Sequence, residues 1–389
     1  MRGQPLASAL CLSRGMLAAV MMAALGVPSV AEAQSGNAGQ KANSGKQAGA
    51  SELRRSAAKS KAIALAKKSR VTPEAAPLKT EDLPKRSLAE LDELIAQQRK
   101  LVAANPKDET VRRNLGWISV EVANRVLEAE SLGRAEEVTG YTTLIRTRLA
   151  DTLWRVTQIA RQGTIRARAA LGLYHSEGIL VPEDHVRGCD HFSQAAAAGH
   201  VAAAYRASLC LASAEPERAR QWLGQSASGG HAGAQEAMGR ACIENTSMDA
   251  TCAKRWLEPA ATQGRVSAMS LLAWLHAREG TEPALLQATK LYRTAAEAGD
   301  LAAQNNLGEF YETGRGVPRQ PVQALDWYRR SAEKGFAPAQ FNLARLLAYG
   351  VGTERDPASA RGWATKAQEQ GIGQAAELLK LLTEAEKPR

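Results

Sequence analysis

Aromatic side chains are scarce in this chain: Phe, Trp and Tyr make up 5% of its 389 residues, and only four are Phe. Such a composition lacks the bulk that fills the space between two packed sheets. With Ala abundant, it favours helices that approach one another closely. Long apolar runs are also missing beyond the N-terminus. No later segment reaches the roughly 20 apolar residues that carry a helix across a bilayer, so no membrane-spanning body is expected. At 41.5 kDa the chain is nevertheless too long for one core, and two or more units are expected.

A basic folded surface is the third thing lacking. The formal charge is +10, but residues 1–33 contribute +1, residues 34–79 contribute +8, and residues 80–389 contribute +1. The body is almost neutral and the basicity belongs to a tail. A nucleic-acid-binding domain would need a basic face of its own, so that class is excluded. Catalytic patterns are missing too: there is no HExxH, no GxSxG and no coherent Cys-His-Asp arrangement. Ser56-Ala-Ala-Lys59 matches the S-x-x-K of penicillin-recognising enzymes but has no K-T-G partner. Gly39…Gly45-Lys46 is one residue too long for a P-loop and follows no strand. Both fall in low-complexity sequence. The reading is non-enzymatic, with no cofactor.

Residues 1–33 read as a secretory signal peptide. Arg2 and Arg14 supply the positive region, Met16–Val27 the apolar stretch, and Ala31-x-Ala33 the cleavage site before Gln34. Cys11 is not a lipid-attachment site, because the large Leu10 precedes it and the apolar segment follows it. Residues 34–84 are rich in Gly, Ser, Ala, Lys and Gln and read as a disordered basic linker. Within it, residues 51–69 space Leu53, Ile63 and Leu65 among six basic side chains. That pattern suits an amphipathic helix on an anionic envelope surface, or a plain solvated tail.

The body is organised by a repeat. Residues 300–335 and 336–371 are two 36-residue units, and walking backward gives units at 265–299, 231–264, 200–230 and 164–199, with a truncated copy at 372–382. The fourth residue of each is Ala167, Ala203, Ala234, Ala268, Ala303, Ala339 and Ala375. The eighth is apolar throughout, from Leu171 to Leu379. Four residues before each closing Gly stands a small residue: Ala195, Ser226, Ala260, Ala295, Ser331 or Ala367. A large apolar residue recurs in the second half as Phe192, Trp222, Trp256, Tyr292, Trp327 and Trp363. In one unit, Ala303, Leu307 and Phe310 lie at helical spacing, as do Ala324, Trp327 and Ala332, with Gly314–Pro318 breaking the chain between them. One hairpin cannot bury both faces, so neighbours stack into a right-handed α/α solenoid. Residues 85–163, with helices expected at 88–104, 109–130 and 138–161, read as a divergent helical capping region. Residues 372–389 read as the C-terminal capping helix and tail.

At Ala303-Gln304-x-x-Leu307-Gly308-x-x-Tyr311-x-x-Gly314-x-Gly316-Val317 and Ala324-x-x-Trp327-Tyr328-x-x-Ser331-Ala332-x-x-Gly335 the chain resembles the Sel-one-like repeat, a relative of the tetratricopeptide repeat. Ser331 stands where that family more often has Ala. The resemblance implies an adaptor for partner proteins, often in bacterial envelope assemblies, with no common catalytic residue. It also supplies an alternative, because penicillin-binding or β-lactam-hydrolysing activity is ascribed to some disulfide-rich members.

Four Cys remain after residue 33, an even number in an exported chain. Cys189 and Cys210 lie ten before and eleven after Gly199, and Cys242 and Cys252 are symmetric about residues 246–247, which predicts Cys189–Cys210 and Cys242–Cys252. A metal site at Asp184-His185-x-x-x-Cys189-Asp190-His191 is the sharper alternative, but His191 lies off the face shared by His185 and Cys189. No metal is expected. The function read from the whole is a periplasmic, non-catalytic scaffold holding a protein partner in a groove made by the first helices. Asn305, Glu309 and Glu312 are the polar first-helix positions of one unit, and Asn342, Arg345 and Tyr349 those of the next, so these six are the candidate binding residues. N-terminal sequencing of the exported protein is expected to begin at Gln34; an intact Met1 would overturn the signal-peptide reading.

Overall fold

The computed structural model describes residues 76–244 and 248–384, all helix, turn and loop without a strand. The leader, the tail matches at residues 39–46 and 56–59, and the basic stretch 51–69 lie outside the described residues. Four helices come first: α1 Leu88–Ala104, α2 Glu109–Leu132, α3 Ala135–Arg148 and α4 Leu153–Arg161. Six helix pairs follow. Unit 1 is α5 Ile165–Ser176 with α6 His185–Ala197, unit 2 is α7 Val201–Leu211 with α8 Pro216–Ser228, and unit 3 is α9 Ala232–Glu244 with α10 Ala250–Thr262. Unit 4 is α11 Val266–Glu279 with α12 Glu282–Glu297, unit 5 is α13 Leu301–Thr313 with α14 Pro321–Glu333, and unit 6 is α15 Ala337–Tyr349 with α16 Pro357–Glu369. A last helix, α17 Gly373–Glu384, packs on unit 6. From α4 onward each helix packs on the next in sequence, the signature of an α/α repeat solenoid.

The repeat is visible as burial. All seven fourth-position alanines, from Ala167 to Ala375, are 0% exposed, and so are the six small residues before the closing glycines. Their lack of side-chain bulk sets how closely the helices approach. Ser226 and Ser331 replace Ala at no cost in unmet polarity, because their hydroxyls donate to Val201 O and Leu301 O at 2.8 Å. Each unit then ends in one shared turn: Gly163, Gly199, Gly230, Gly264, Gly299, Gly335 and Gly371 all have φ between 88° and 95°, a region costly for any side chain. Gly163 places the end of α4 on the same pattern.

The large second-helix residues divide into two kinds. Phe192 and Tyr292 are buried, whereas Trp327 is only half-buried, with Arg330 stacked 4.6 Å from its ring centre. Tyr328, not Trp327, fills the core of unit 5, since it continues the Ala324 and Ala332 face one helical turn on. Both disulfides form as the spacing predicts, Cys189–Cys210 and Cys242–Cys252, each with its Cα atoms 5.9 Å apart. They close loops of 21 and 10 residues. Loop-closure entropy makes each worth about 3 kcal/mol.

Three expectations need correction. Residues 76–84, assigned by composition to a disordered linker, are ordered: a 3-10 turn at Thr80–Lys85 buries Leu83, Asn114 accepts from Leu78 N at 3.0 Å, and Arg125 donates to Leu83 O, Pro84 O and Arg86 O. The helix expected at 138–161 is two, α3 and α4, because buried Leu149 turns the chain and the Thr152 hydroxyl donates to Leu149 O at 2.6 Å. Trp154 is 58% exposed and takes no part in the repeat core.

The ninth position of several units is Gly because a ring or branched side chain lies directly against it. A Cβ on Gly308 would sit 2.9 Å from two ring carbons of Tyr328, and one on Gly239 would sit 2.6 Å from Leu257 Cγ. Gly308→Ala is therefore expected to lower stability by about 1–3 kcal/mol in urea unfolding, despite Ala's better helix propensity. An unchanged or raised midpoint would show that the interhelical seam is looser than described.

Candidate functional site

The first helices of the six units share one face of the stack, and α2 lies across half of it. Asp108 starts α2 by accepting from Thr110 N and Val111 N, and Gly133 at φ 74° ends it. Over unit 1, the Tyr174 hydroxyl donates to Ser119 O at 3.0 Å, and Asn124 Nδ2 donates to Arg166 O at 3.0 Å. Over unit 2, Asn124 Oδ1 lies 2.8 Å from His200 Nε2, and Arg206 Nε donates to Glu130 at 3.0 Å. Over unit 3, Ala232 N donates to Ser131 Oγ at 3.1 Å. At the start of unit 4, Arg265 donates to the last carbonyls of α2, Glu130 O and Ser131 O, at 3.0 and 3.1 Å. Buried Glu121 is held by Arg125 at 3.1 Å and Arg166 at 2.8 Å. Two glutamates of α2, Glu121 and Glu130, thus meet arginines of units 1 and 2.

Two histidines belong to this seam. His200 and His231 cap α7 and α9, their Nδ1 atoms accepting from Ala203 N and Ala234 N at 3.2 and 3.1 Å. Both roles require the neutral ring. Burial, then Arg166 for His200, and burial, then Arg265 and Arg206 for His231, push each pKa down to about 4. Burial raises Glu130 despite Arg206, while for Glu236 the opposing pull of Ser267 and Arg265 outweighs burial and holds its pKa low. A cleft of about 490 Å³ runs beside this seam, lined by Asn124, Ser131, Arg166, His200, His231 and Gln263 among others.

Beyond unit 3 the same face carries no helix among the described residues, and on units 5 and 6 the six candidate residues lie together. Asn342 donates to Asn305 at 3.0 Å, joining α15 to α13, and Asn305 is 8% exposed. Arg345 donates to Glu312 at 2.6 Å, and Glu312 also accepts from buried Tyr328 at 3.0 Å. These four stitch unit 5 to unit 6. Glu309 pairs loosely with Arg315 at 3.8 Å, and Tyr349 is 57% exposed. Sequence reasoning missed the matching residues of unit 4. Leu271, Trp274 and Arg278 occupy the same repeat positions as Asn342, Arg345 and Tyr349, and Arg278 stacks 4.8 Å from the Trp274 ring. Carrying the register back one unit would have found them.

The metal alternative does not assemble. Cys189 is consumed by its disulfide, His185 pairs with Glu183 at 2.7 Å, and His191 stacks on His175 at 5.5 Å. Among the described residues no three His, Cys, Asp or Glu side chains gather to hold an ion, and no helix is long and apolar enough to cross a membrane.

The Sel1 repeat family model matches residues 165–200, 202–231, 249–264, 266–300, 301–336 and 337–372. The body of the chain between residues 165 and 372 is built of Sel1 repeats. Only in unit 3 does the match miss the first helix, although α9 takes its place in the stack. Among solved structures, this Sel1 repeat chain resembles c5321, a protective antigen of uropathogenic Escherichia coli strains with an SLR fold. Identity is 24%, with 76% of this chain and 68% of that one covered at a TM-score of 0.60. A Sel1 repeat protein from Oxalobacter formigenes is 24% identical over 63% of this chain and 96% of its own, with a TM-score of 0.48. No curated protein matches the chain in sequence. Sel1 repeats generally form protein-interaction scaffolds rather than catalytic sites.

The histidine caps set a pH dependence. With folded pKa values near 4 and an unfolded value near 6.5, the unfolded chain binds more protons across that window. Stability is therefore full above pH 6.5 and lost as pH falls toward 4, by about 3 kcal/mol per histidine. Melting curves between pH 7 and 4.5 are expected to show this loss. Combined His200→Asn and His231→Asn, which keep a capping oxygen that does not titrate, are expected to flatten it.

Proposed function

We propose that this chain is an exported, non-catalytic scaffold that holds a protein partner on the first-helix face of units 4–6. One observation carries the reading: α2 covers that face over units 1–3, and the next three units leave exposed Tyr349 and the partly buried Leu271, Trp274 and Phe341 without a covering helix among the described residues. Aromatic and Arg side chains on a stiff, stacked scaffold are the residue types that dominate protein interfaces. Export is supported by the leader pattern at residues 1–33 and by the two disulfides, which persist in an oxidising compartment such as the periplasm. The +8 charge of residues 34–79 suits contact with an anionic envelope surface and a place in an envelope or polysaccharide-secretion assembly. No observation favours the penicillin-binding alternative.

Tyr349 and Arg345 separate binding from folding. Tyr349→Ala removes an exposed ring and is expected to lower partner capture tenfold or more, about 1.4 kcal/mol, with melting unchanged. Arg345→Ala strands the mostly buried Glu312 carboxylate and is expected to lower both capture and melting temperature. Pull-down and thermal melting, read side by side, check this; full capture by both variants would move the site off this face.

A further inference from the structure

His200 and His231 make the same cap one unit apart, but only His200 has both ring nitrogens satisfied. Each accepts a backbone N–H at Nδ1, so each neutral ring carries its proton on Nε2. His200 gives that proton to Asn124 Oδ1 at 2.8 Å, whereas His231 Nε2 has no acceptor among the described residues. Yet His231 is only 6% exposed. The Tyr205 ring lies 4.5 Å away, centre to centre, and a Cβ on Gly233 would sit 3.3 Å from its Cε1. A donor held this deep without an acceptor calls for a partner. The space that His231 borders is the cleft of about 490 Å³ beside α2.

The same cleft is bordered by further unpaired donors. Val201 N and Ala202 N, the first two of α7, precede the N–H that His200 caps and have no acceptor among the described residues. They sit at the positive end of the helix dipole. Arg166 meets Glu121 through one nitrogen at 2.8 Å, and the rest of its fork is unpaired among the described residues, with 46% of the side chain exposed. Exposed Glu128 is the one carboxylate in the lining, and partly buried Leu132 supplies an apolar wall. Gly229 keeps the start of α7 in place, because a Cβ there would sit 2.7 Å from Val201 Cγ2. Unit 2 is the only unit with Gly at that position; the others have Ala198, Gln263, Ala298, Lys334 and Gln370.

We infer that this cleft binds a carboxylate group, received by Val201 N, Ala202 N and His231 Nε2 with Arg166 as its counter-charge. The rest of the ligand lies on Leu132. A phosphate dianion suits the cleft less well, because Glu128 repels its second charge. The carboxylate belongs to a free organic acid or to the C-terminus of a peptide, and the donors meet the same chemistry in either case. The site stands apart from units 4–6 and does not depend on the reading of that face as a partner surface.

The test titrates the full chain with acetate, N-acetyl-alanyl-alanine and inorganic phosphate. It follows the amide resonances of Val201 and Ala202 and the imidazole nitrogens of His231. Saturable shifts at all three residues with acetate, in the millimolar range suited to so small a probe, are the expected result. Acetamide at the same concentrations is expected to leave them unmoved. His231→Asn keeps the cap but removes the Nε2 donor, and is expected to weaken acetate binding by about threefold or more. Glu128→Lys alters an exposed side chain and is expected to tighten acetate binding by about twofold or more. It decides the matter if His231→Asn unfolds the protein. N-acetyl-alanyl-alanine binding more tightly than acetate assigns the carboxylate to a peptide terminus, and equal or weaker binding assigns it to a free acid. Shifts that do not saturate, that acetamide reproduces, or that either folded variant leaves unchanged overturn the site. Phosphate binding more tightly than acetate overturns the carboxylate.

Discussion

Everything in this fold depends on how closely two helices can approach where an Ala meets a small residue. The fourth-position alanines and the small residues near each unit end are wholly buried in all units, including those whose sequences have otherwise drifted. A larger side chain at either place would push the helices apart by the width of the added atoms and lose contact all along the hairpin. Because the constraint is on size, the rest of the unit varies freely. Trp, Tyr and Phe exchange on the second helix, Ser replaces Ala where its hydroxyl finds a carbonyl, and the interhelical loops shrink. The disulfides fall where that drift is greatest. Cys189–Cys210 joins unit 1 to unit 2, and Cys242–Cys252 closes unit 3, whose first helix the family model does not match.

The stack also explains the unusual placement of α2. A repeat array leaves its first-helix face without a neighbour, and here half of that face is covered from within the chain. The covering contact changes character along its length. Near unit 1 it is an extension of the apolar core, with Ile118, Val122 and Leu127 clustered with Ala170 and Tyr174. Toward unit 4 it becomes polar and charged, through Glu130, Arg206, Glu236 and Arg265. Buried ion pairs of this kind contribute little net stability but penalise any misplacement heavily, so the charged end fixes where α2 stops and the apolar end holds it down. The open half of the face begins at that stop.

Much of this was legible in the chain itself. The helical class, the repeated helix pair, the buried Ala positions and both disulfide pairings follow from spacing, since each reflects a local period or a symmetric distance from a turn. The candidate residues of units 5 and 6 were legible as a set but not in their individual roles. Asn305, Glu312, Asn342 and Arg345 are polar, and one helix considered alone offers them only water. It takes the neighbouring unit to show that they bond to one another across the seam.

Local sequence determined what could be stated from one helix and its nearest turn: which face is apolar, where a glycine must end a unit, which cysteines come level. It set the size of side chain allowed at each seam, because that limit recurs with the period of the repeat. Tertiary structure alone decided which polar residues were already satisfied and which surface remained open. The contacts of α2 join residues as far apart as Glu130 and Arg265, and no period in the sequence links them. They exist because stacking brings Arg166, Arg206 and Arg265, from three different units, beside Glu121, Glu130 and the last carbonyls of α2, where each pairing offsets the cost of burying a charge.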